Sequence, residues 1–356
     1  MKNLEEKNGK IQFYNYIISS LMEKHKKLYN RVLNESGSTL ILEGYGKKEE
    51  EIINDEKLII ISEALKLNNT LENIDLKSNN IKAIGMQYLC KSIEKNKKIK
   101  QINLSFNRLG DSSMKYLSEL FKKNSTIENI DLRSNEIGDE GMKFICESLK
   151  INNSLKKIFL SENNIRDEGM KHLSESLKKN NSLTSIDLQI NYIGDEGMKN
   201  FCESLKKNNS LQWVSLSWNY NITDQGMEYL CDALKINSSL NSIDLQINFF
   251  TDKAMKFLCD ALKINSSLNK INLSNNKIEE SGAQFILDSF FFNNSLTFLD
   301  LSGNKITSSL VEQIDSLVQE NKENPTKAQL RLEENLRNNK EIKQISFKTI
   351  VLVKKN

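Results

Sequence analysis

The 356-residue sequence is poor in the residue types that mark catalytic and metal centres. It contains two histidines, His25 and His172, which are far apart along the chain. No serine or cysteine has a paired base at motif spacing, and no Cys/His cluster has the spacing of metal ligands. We therefore expect no catalytic residues, no metal site and no cofactor.

The sequence also lacks a strong charge of either sign and any long apolar run. Its 50 basic and 47 acidic residues leave a formal net charge of +3, which is too even to indicate a nucleic acid or a membrane surface as partner. No apolar stretch reaches about 18 residues, the length that spans a membrane. The polar start MKNLEEKNGK is not followed by the apolar core of a signal peptide. We expect a cytoplasmic protein that does not insert into membranes.

What the sequence does contain is one phrase repeated at a period of 28 residues, with one extra residue in the sixth copy. Nine full repeats begin at Leu71, Ile99, Ile127, Leu155, Leu183, Leu211, Leu240, Leu268 and Leu296. Each repeat opens with L-x-x-I-x-L, which predicts a short strand with one apolar face, and continues into a helix phrase such as GDEGMKNFCESLKKN. One repeat buries too few apolar side chains to offset the entropy of ordering its backbone. The repeats must therefore stack, with a curved parallel sheet inside and helices outside.

The flanking segments predict structures that close the ends of the array. We predict an N-terminal capping helix over residues 1–37, a degenerate first repeat over 38–70, nine repeats over 71–320, and an irregular final repeat with a C-terminal cap over 321–356. The apolar stripe of the first segment is also compatible with a partner-binding helix. In the last segment, the only proline interrupts the pattern and a further helix follows over about 327–339. Ile342, Ile345 and Phe347 then restore the strand spacing, and residues 350–353 are predicted to pack over the open end.

The pattern L-x-x-I-D-L-x-x-N-x-I, followed by G-x-x-x-L-x-x-x-L, resembles leucine-rich repeats of the ribonuclease-inhibitor type. The resemblance implies an α/β solenoid shaped as a horseshoe, with a concave parallel sheet and a convex layer of α-helices. It implies little about function, because the class includes enzyme inhibitors, immune sensors, Ran GTPase-activating proteins and actin regulators. It also implies that the asparagine after each strand hydrogen-bonds loop backbone. These asparagines are Asn79, Asn107, Asn135, Asn163, Asn191, Asn219, Asn248, Asn276 and Asn304.

Three further rows have structural explanations. We expect an aspartate row to lie just before the helices and to cap their free N–H groups. The aspartates are Asp111, Asp139, Asp167, Asp195, Asp224 and Asp252. A methionine row is predicted to fill the core. The five cysteines, Cys90, Cys146, Cys202, Cys231 and Cys259, share one repeat position and predict a row of buried thiols without disulfides.

A second set of aspartates alternates along the outward positions of the strands. Asp75, Asp131, Asp187, Asp244 and Asp300 occur in the odd-numbered repeats. The next outward position holds Lys77, Arg133, Gln189 and Gln246 in odd repeats but serine in even ones. Alternate strands stand about 10 Å apart, which is too far for a proton-sharing pair. We therefore predict a solvated stripe of carboxylates.

The departures from the repeat pattern cluster in repeats five to seven and are the candidate functional residues. The position before the asparagine becomes Ile190, Trp218 and Ile247, and the position after it becomes Tyr192, Tyr220 and Phe249. Trp213 and Phe159 occupy outward strand positions nearby. Apolar patches rimmed by polar residues mark interaction sites, and Trp and Tyr are common hot-spot residues. The alternative is that these rings pack on one another or shield loop backbone.

We therefore predict a monomeric, non-enzymatic scaffold that binds a protein partner through these eight residues. One alternative is a GTPase-activating protein of the Ran type, but no arginine occurs between Arg31 and Arg108, where that family carries one. Lys47 and Lys48 lie in the nearest loop and lack the planar guanidinium that clamps phosphate. The other alternative, an actin regulator, rests on phrases such as LKLNNTL.

Overall fold

The computed structural model describes residues 15–338, which fall into two compact units divided between Ile165 and Arg166. In the first unit, residues 15–24 are helical. The elements that follow are α1 (Lys26–Leu33), β1 (Thr39–Ile41), α2 (Asp55–Leu65), β2 (Asn73–Asp75), α3 (Ala83–Ile93), β3 (Gln101–Asn103), α4 (Gly110–Lys123), β4 (Asn129–Asp131), α5 (Asp139–Leu149) and β5 (Lys157–Phe159).

The second unit continues the alternation of helix and strand. Its elements are α6 (Asp167–Leu177), β6 (Ser185–Asp187), α7 (Asp195–Leu205), β7 (Trp213–Ser215), α8 (Asp224–Leu234), β8 (Ser242–Asp244), α9 (Asp252–Leu262), β9 (Lys270–Asn272), α10 (Glu280–Ser289), β10 (Phe298–Asp300), α11 (Ser308–Glu323) and α12 (Pro325–Asn338).

Within each unit, consecutive strands pair in parallel at equivalent positions of the repeat. Ile74, Ile102 and Ile130 are register partners across β2, β3 and β4, as are Val214 and Ile243 across β7 and β8. These central residues are buried, while the residues on either side of them face away from the helices and form what we call the open face. The predicted fold class, an α/β leucine-rich-repeat solenoid of parallel strands and helices, is confirmed.

The core rows expected from the sequence are buried. The methionines Met86, Met114, Met142, Met170, Met198, Met227 and Met255 are fully enclosed. All five cysteines are buried and free of disulfides, as predicted. Burial raises the pKa of Cys202 and Cys231, which keeps these thiols protonated and inert.

The asparagine ladder joins each repeat to the preceding one. The Asn219 amide nitrogen donates to the carbonyls of Leu188 (3.0 Å) in the preceding repeat and Leu216 (3.1 Å) in its own. Its oxygen accepts the N–H of Ile193 at 3.1 Å. The predicted bonding to loop backbone is thus confirmed, and it extends across the repeat boundary.

A second asparagine ladder lies at the carboxyl ends of the helices. Its buried members are Asn68, Asn124, Asn152, Asn180, Asn208, Asn237, Asn265 and Asn293. The Asn208 amide nitrogen donates to the carbonyls of Leu177 and Asn180, both at 2.9 Å, and its oxygen accepts the N–H of Leu211 at 2.8 Å. These Asn-x-Ser/Thr asparagines therefore satisfy helix ends that would otherwise leave carbonyls unpaired.

The prediction that the aspartate row caps its own helices is wrong. Most of these residues begin their helices and bond the next repeat instead, because the N–H groups nearest to their carboxylates belong to that repeat. Asp111 accepts the N–H of Gly138 at 2.6 Å, and Asp224 accepts that of Thr251 at 2.8 Å. Thr251 then caps its own helix by accepting the N–H of Lys253 at 3.3 Å. The carboxylates still lie in the first turn, where the helix dipole favours them.

Helices flank the array at both ends of the described range. At the first end, Val32 of α1 is buried and its carbonyl accepts the Asn68 amide at 3.0 Å. At the other end, Pro325 begins α12, and the Glu320 carboxylate pairs with the guanidinium of Arg331. The first fourteen residues of the predicted N-terminal helix, and the C-terminal predictions for Ile342, Ile345, Phe347 and residues 350–353, lie outside the described residues. From residue 15 to residue 338, no helix has the length and apolarity needed to cross a membrane.

The cysteine row supplies a matched test of buried hydrogen bonding. Ser118 and Ser174 replace cysteine in this row, and both are buried. The Ser118 hydroxyl has no hydrogen-bond partner, whereas that of Ser174 donates to the carbonyl of Asn200 at 2.5 Å. We expect Ser118→Ala to leave the free energy of unfolding unchanged or raise it by up to about 1 kcal/mol, and Ser174→Ala to lower it by about 1 kcal/mol. Urea denaturation of both variants checks this, and equal losses would contradict it.

Candidate functional site

Each strand from β2 to β10 leaves the sheet through a residue in the left-handed backbone region. This residue precedes the buried asparagine of the ladder, and its φ lies between 50° and 58° in eight repeats and is 71° at Gly303. The eight are Ser78, Phe106, Ser134, Glu162, Ile190, Trp218, Ile247 and Asn275. This region costs an L-residue roughly 1–2 kcal/mol, and β-branched residues adopt it rarely.

Ile190 and Ile247 thus adopt a backbone conformation that is unfavourable for β-branched residues. Their φ values are 50° and 51°, and they are the only β-branched residues among the nine at this position. Backbone strain of this kind concentrates at functional sites. The two isoleucines therefore mark the strand exits of repeats five and seven as candidate functional positions.

Six of the predicted residues form what we call the strand-exit patch, all in the second unit. They are Ile190, Tyr192, Trp218, Tyr220, Ile247 and Phe249. The rings of Trp218 and Tyr220 make an edge contact with centroids 6.1 Å apart, and those of Tyr220 and Phe249 lie 5.7 Å apart. Tyr192 and Tyr220 nevertheless remain 55% and 47% exposed. The rings therefore pack on one another and still present apolar surface to solvent.

Cations lie at both ends of the strand-exit patch. The Arg166 guanidinium carbon is 5.8 Å from the centre of the Tyr192 ring. The Lys277 ammonium lies 4.0 Å from the centre of the Phe249 ring. Cation–π contacts of this kind hold the rings in place while leaving their opposite faces open.

The other two predicted residues, Trp213 and Phe159, lie on strands of the open face rather than at strand exits. Trp213 begins β7 on the open face, half-buried between Ser185 and Ser242 of the neighbouring strands. Phe159 belongs to the first unit, where the Arg133 guanidinium carbon lies 5.8 Å from its ring centre. Seven of the eight predicted residues thus belong to the second unit and one, Phe159, to the first.

Two exposed aromatic residues were missed by the sequence prediction. Phe106 occupies the left-handed position in the first unit and is 44% exposed. Phe298 begins β10 at the position that Trp213 holds in β7, and it is 48% exposed. Both occupy repeat positions already singled out, so a reading of every repeat at those two positions would have found them.

The alternating aspartates of the open face terminate their strands. Each accepts the backbone N–H two residues later, as Asp75 does from Lys77 at 2.9 Å and Asp300 from Ser302 at 2.9 Å. The prediction of a solvated stripe is wrong for Asp187, which is only 5% exposed because its repeat encloses it. Between residues 15 and 338, no group of three or more His, Cys, Asp or Glu side chains is placed to hold a metal ion.

The surroundings of these carboxylates differ between repeats three and seven. Arg133 reaches back to Asp131 with two nitrogens, Nε at 3.0 Å from Oδ1 and Nη2 at 2.5 Å from Oδ2. Repeat seven has Gln246 in place of this arginine. Burial raises the pKa of Asp244, hydrogen bonds from the Gln246 N–H and the Ser215 hydroxyl oppose the shift, and the nearby Asp300 charge adds to it.

The strain at the strand exits predicts that the patch lowers stability. Asn275 adopts the same left-handed backbone with a φ of 54°. Asparagine tolerates this region better than isoleucine does. We therefore expect Ile190→Asn and Ile247→Asn each to raise the free energy of unfolding by up to about 1 kcal/mol. Denaturant titration checks this, with Ser134→Asn as a control that replaces a residue without a β-branch at the same backbone position. A loss of stability in both isoleucine variants would contradict the expectation.

A second pair of variants tests the electrostatics of the open face. An asparagine at the Asp244 position keeps the strand-end hydrogen bond, since Asn272 accepts the Ser274 N–H at 3.0 Å. Because the folded-state pKa of Asp244 is raised, the native state binds more protons, and stability falls as pH rises through that pKa. Asp244→Asn should therefore raise Tm at pH 7 and lose this advantage below about pH 3.

The matched variant Asp131→Asn should behave in the opposite way at neutral pH. It removes the carboxylate that Arg133 holds, at a cost of up to about 1 kcal/mol for a pair that is partly exposed. Thermal denaturation followed by circular dichroism at both pH values checks the pair. Destabilisation by Asp244→Asn at pH 7 would contradict a raised pKa of Asp244 in the folded state.

Two solved structures match about half of this chain. Among solved structures, the leiomodin-1 actin-binding site 2 is 21% identical, matching 47% of this chain and 95% of its own with a TM-score of 0.39. The tropomodulin C-terminal domain of Caenorhabditis elegans is 17% identical, matching 46% of this chain and 98% of its own with a TM-score of 0.38. A search of curated proteins gave no match.

The model of the leucine-rich repeat family matches eight segments that together make up more than half of the chain. They are residues 67–90, 95–118, 123–146, 152–174, 179–202, 207–231, 265–287 and 292–309. The repeat period, the strand-and-helix alternation and this match agree. The chain belongs to the leucine-rich repeat family.

Proposed function

We propose that this protein is a non-enzymatic scaffold that binds a protein partner through the second unit. The binding surface comprises the strand-exit patch and the adjoining open face around Trp213. Binding by residues that face away from the core suits a solenoid, because these positions vary without disturbing the stacking of repeats.

The observation that carries the proposal is the strained, exposed apolar surface of repeats five to seven. Ile190 and Ile247 occupy left-handed positions, and the exposed tyrosines and Phe249 lie beside them. Exposed apolar patches on monomers are usually small, and larger ones mark interaction sites. Tyrosine and tryptophan are also the residues most often found at binding hot spots. Strained backbone lowers stability, so a role in stabilising the fold would not explain why the patch contains it.

We also propose a repeat type, a cellular location and an oligomeric state for this protein. The 28-residue period with a full helix in each repeat supports the ribonuclease-inhibitor type of leucine-rich repeat. The five free, buried cysteines and the buried Asn-x-Ser asparagines support a cytoplasmic location, where thiols stay reduced and asparagines are not glycosylated. We propose that the monomer is the binding form, with a capping helix over residues 1–37 and an irregular final repeat and C-terminal cap over residues 321–356 closing the repeat array.

The triple variant Trp213→Ala, Trp218→Ala and Tyr220→Ala tests the binding surface. The wild-type chain, immobilised and exposed to a cell lysate, should retain a partner that the variant loses. The reason is that loss of hot-spot aromatic residues typically costs 2 kcal/mol or more each, about thirtyfold in affinity. Affinity capture with quantitative mass spectrometry measures the loss, and titration calorimetry with the purified partner confirms it.

A control variant separates loss of the surface from loss of the fold. Ile236→Ala with Ile264→Ala removes two exposed apolar side chains that follow α8 and α9, away from the patch. This variant should capture the partner as the wild-type chain does, and both variants should melt near the wild-type temperature. Full capture by the triple variant would refute the proposed surface.

A further inference from the structure

On the open face of the first unit, a cationic residue follows each strand-end aspartate by two positions. Asp131 is held by Arg133 of its own repeat through two guanidinium nitrogens. Lys77 follows Asp75 in the same way and forms an ion pair with Glu43 at 3.5 Å. In both repeats, the residue two positions after the aspartate is a cation. The open face of the first unit is therefore electrostatically balanced by its own side chains.

The second unit lacks these cations. Gln246 and Ser302 occupy the positions two residues after Asp244 and Asp300. Asp244 accepts from neutral donors, among them the Gln246 N–H at 3.1 Å and the Ser215 hydroxyl at 3.4 Å. Within residues 15–338, neither Asp244 nor Asp300 has a lysine or arginine nitrogen within 4 Å.

The charges remaining on this face are predominantly negative. The outward positions of β8 to β10 carry Asp244 and Asp300 against one exposed lysine, Lys270. Burial and the charge of Asp300 raise the pKa of both Asp244 and Asp315. A cation placed beside Asp244 would therefore gain an interaction that the fold itself leaves unmade.

Aromatic side chains stand at both edges of this acidic surface. Trp213 begins β7 and Phe298 begins β10, and each is at least partly exposed. The strands between them place the two rings roughly 14 Å apart and the carboxylates of Asp244 and Asp300 about 10 Å apart. Arginine and lysine carry apolar stems that lie along aromatic faces while their charged ends reach carboxylates.

We propose that the open face of the second unit binds a basic polypeptide segment, one cation of which takes the place beside Asp244 that Arg133 takes beside Asp131. The inference rests on the proposed scaffold function and names the chemistry of its partner. A nucleic acid is disfavoured because its phosphates would meet like charge. A polypeptide supplies both the cations and the apolar stems that the aromatic residues accept, and its electrostatic attraction to this face speeds association.

The test uses the full chain and short fluorescein-labelled peptides of repeating Arg-Gly-Ser, with Gln-Gly-Ser and Glu-Gly-Ser peptides as charge controls. Fluorescence anisotropy at low ionic strength should show binding of the arginine peptide alone, weakening as salt is added. Asp244→Asn should weaken this binding by roughly fivefold to tenfold. Gln246→Arg should have a similar effect, because it rebuilds in repeat seven the internal pair that Arg133 makes in repeat three.

Matched controls separate charge from structure. Gln246→Met removes the same amide without adding a cation and should retain binding. Asp131→Asn removes a carboxylate from the first unit and should also retain it. Circular dichroism should show that all four variants are folded. Equal binding of the glutamate peptide, or unchanged binding by both Asp244→Asn and Gln246→Arg, would overturn the inference.

The outcome for the captured partner distinguishes this inference from the function on which it rests. If the triple aromatic variant loses the partner while Asp244→Asn and Gln246→Arg keep it, the scaffold function stands and the basic segment is refuted. If all of these variants lose the partner and the controls keep it, the inference is supported. Retention by the triple variant refutes the proposed function, whatever the peptides show.

Discussion

The fold of each unit depends on side-chain amides and carboxylates that satisfy the backbone of a neighbouring repeat. Strands of three residues provide few ladder hydrogen bonds, and each strand is followed by a loop whose polar groups are buried. Asn219 supplies donors and an acceptor to the loop of the preceding repeat, and Asn208 does the same where a helix ends. An unpaired buried polar group costs about 1–3 kcal/mol, so repeats that stack without these residues would lose much of what apolar burial contributes. The hydrogen bonds that hold a repeat are thus largely those that join it to the next.

This constraint divides the residues of a repeat into two groups. Positions that bond or bury a neighbouring repeat hold the same residue types in most repeats, as the asparagine, methionine and aspartate rows show. Side chains on the open face and at the strand exits bond mainly one another rather than the loop backbone of a neighbouring repeat, so these positions carry serine in one repeat and isoleucine, tryptophan or phenylalanine in another. Differences between repeats therefore concentrate on the surfaces available to a partner. A solenoid of this kind separates stability from recognition more completely than a globular domain does, since each repeat contacts only its neighbours.

The period and the alternation of apolar residues were sufficient to predict the strands, the helices and the buried rows, because those features repeat and depend on local spacing. The partners of the aspartate row were not predictable in the same way. The sequence places Asp224 next to a helix but does not indicate that its nearest free N–H belongs to Thr251, a full repeat later. The burial of Asp187 and the ring contact between Tyr220 and Phe249 likewise depend on distances between repeats. Phe106 and Phe298 occupy repeat positions that the sequence defines, but they lie outside repeats five to seven, where the departures from the pattern cluster.

Two independent energetic costs coincide in the second unit, and their coincidence is the strongest reason to place recognition there. The first is conformational, since Ile190 and Ile247 adopt left-handed backbone that serine or asparagine adopts elsewhere in the chain. The second is electrostatic, since Asp244 lacks the guanidinium that neutralises Asp131, although a single residue change would supply it. Neither cost is required by the stacking of repeats, because other repeats stack without it. Functional surfaces commonly lower stability in this way, since groups that must bind a partner are left incompletely satisfied in its absence. A bound segment that covers the apolar rings and pairs with Asp244 would offset the electrostatic cost and bury the side chains for which the backbone strain is tolerated.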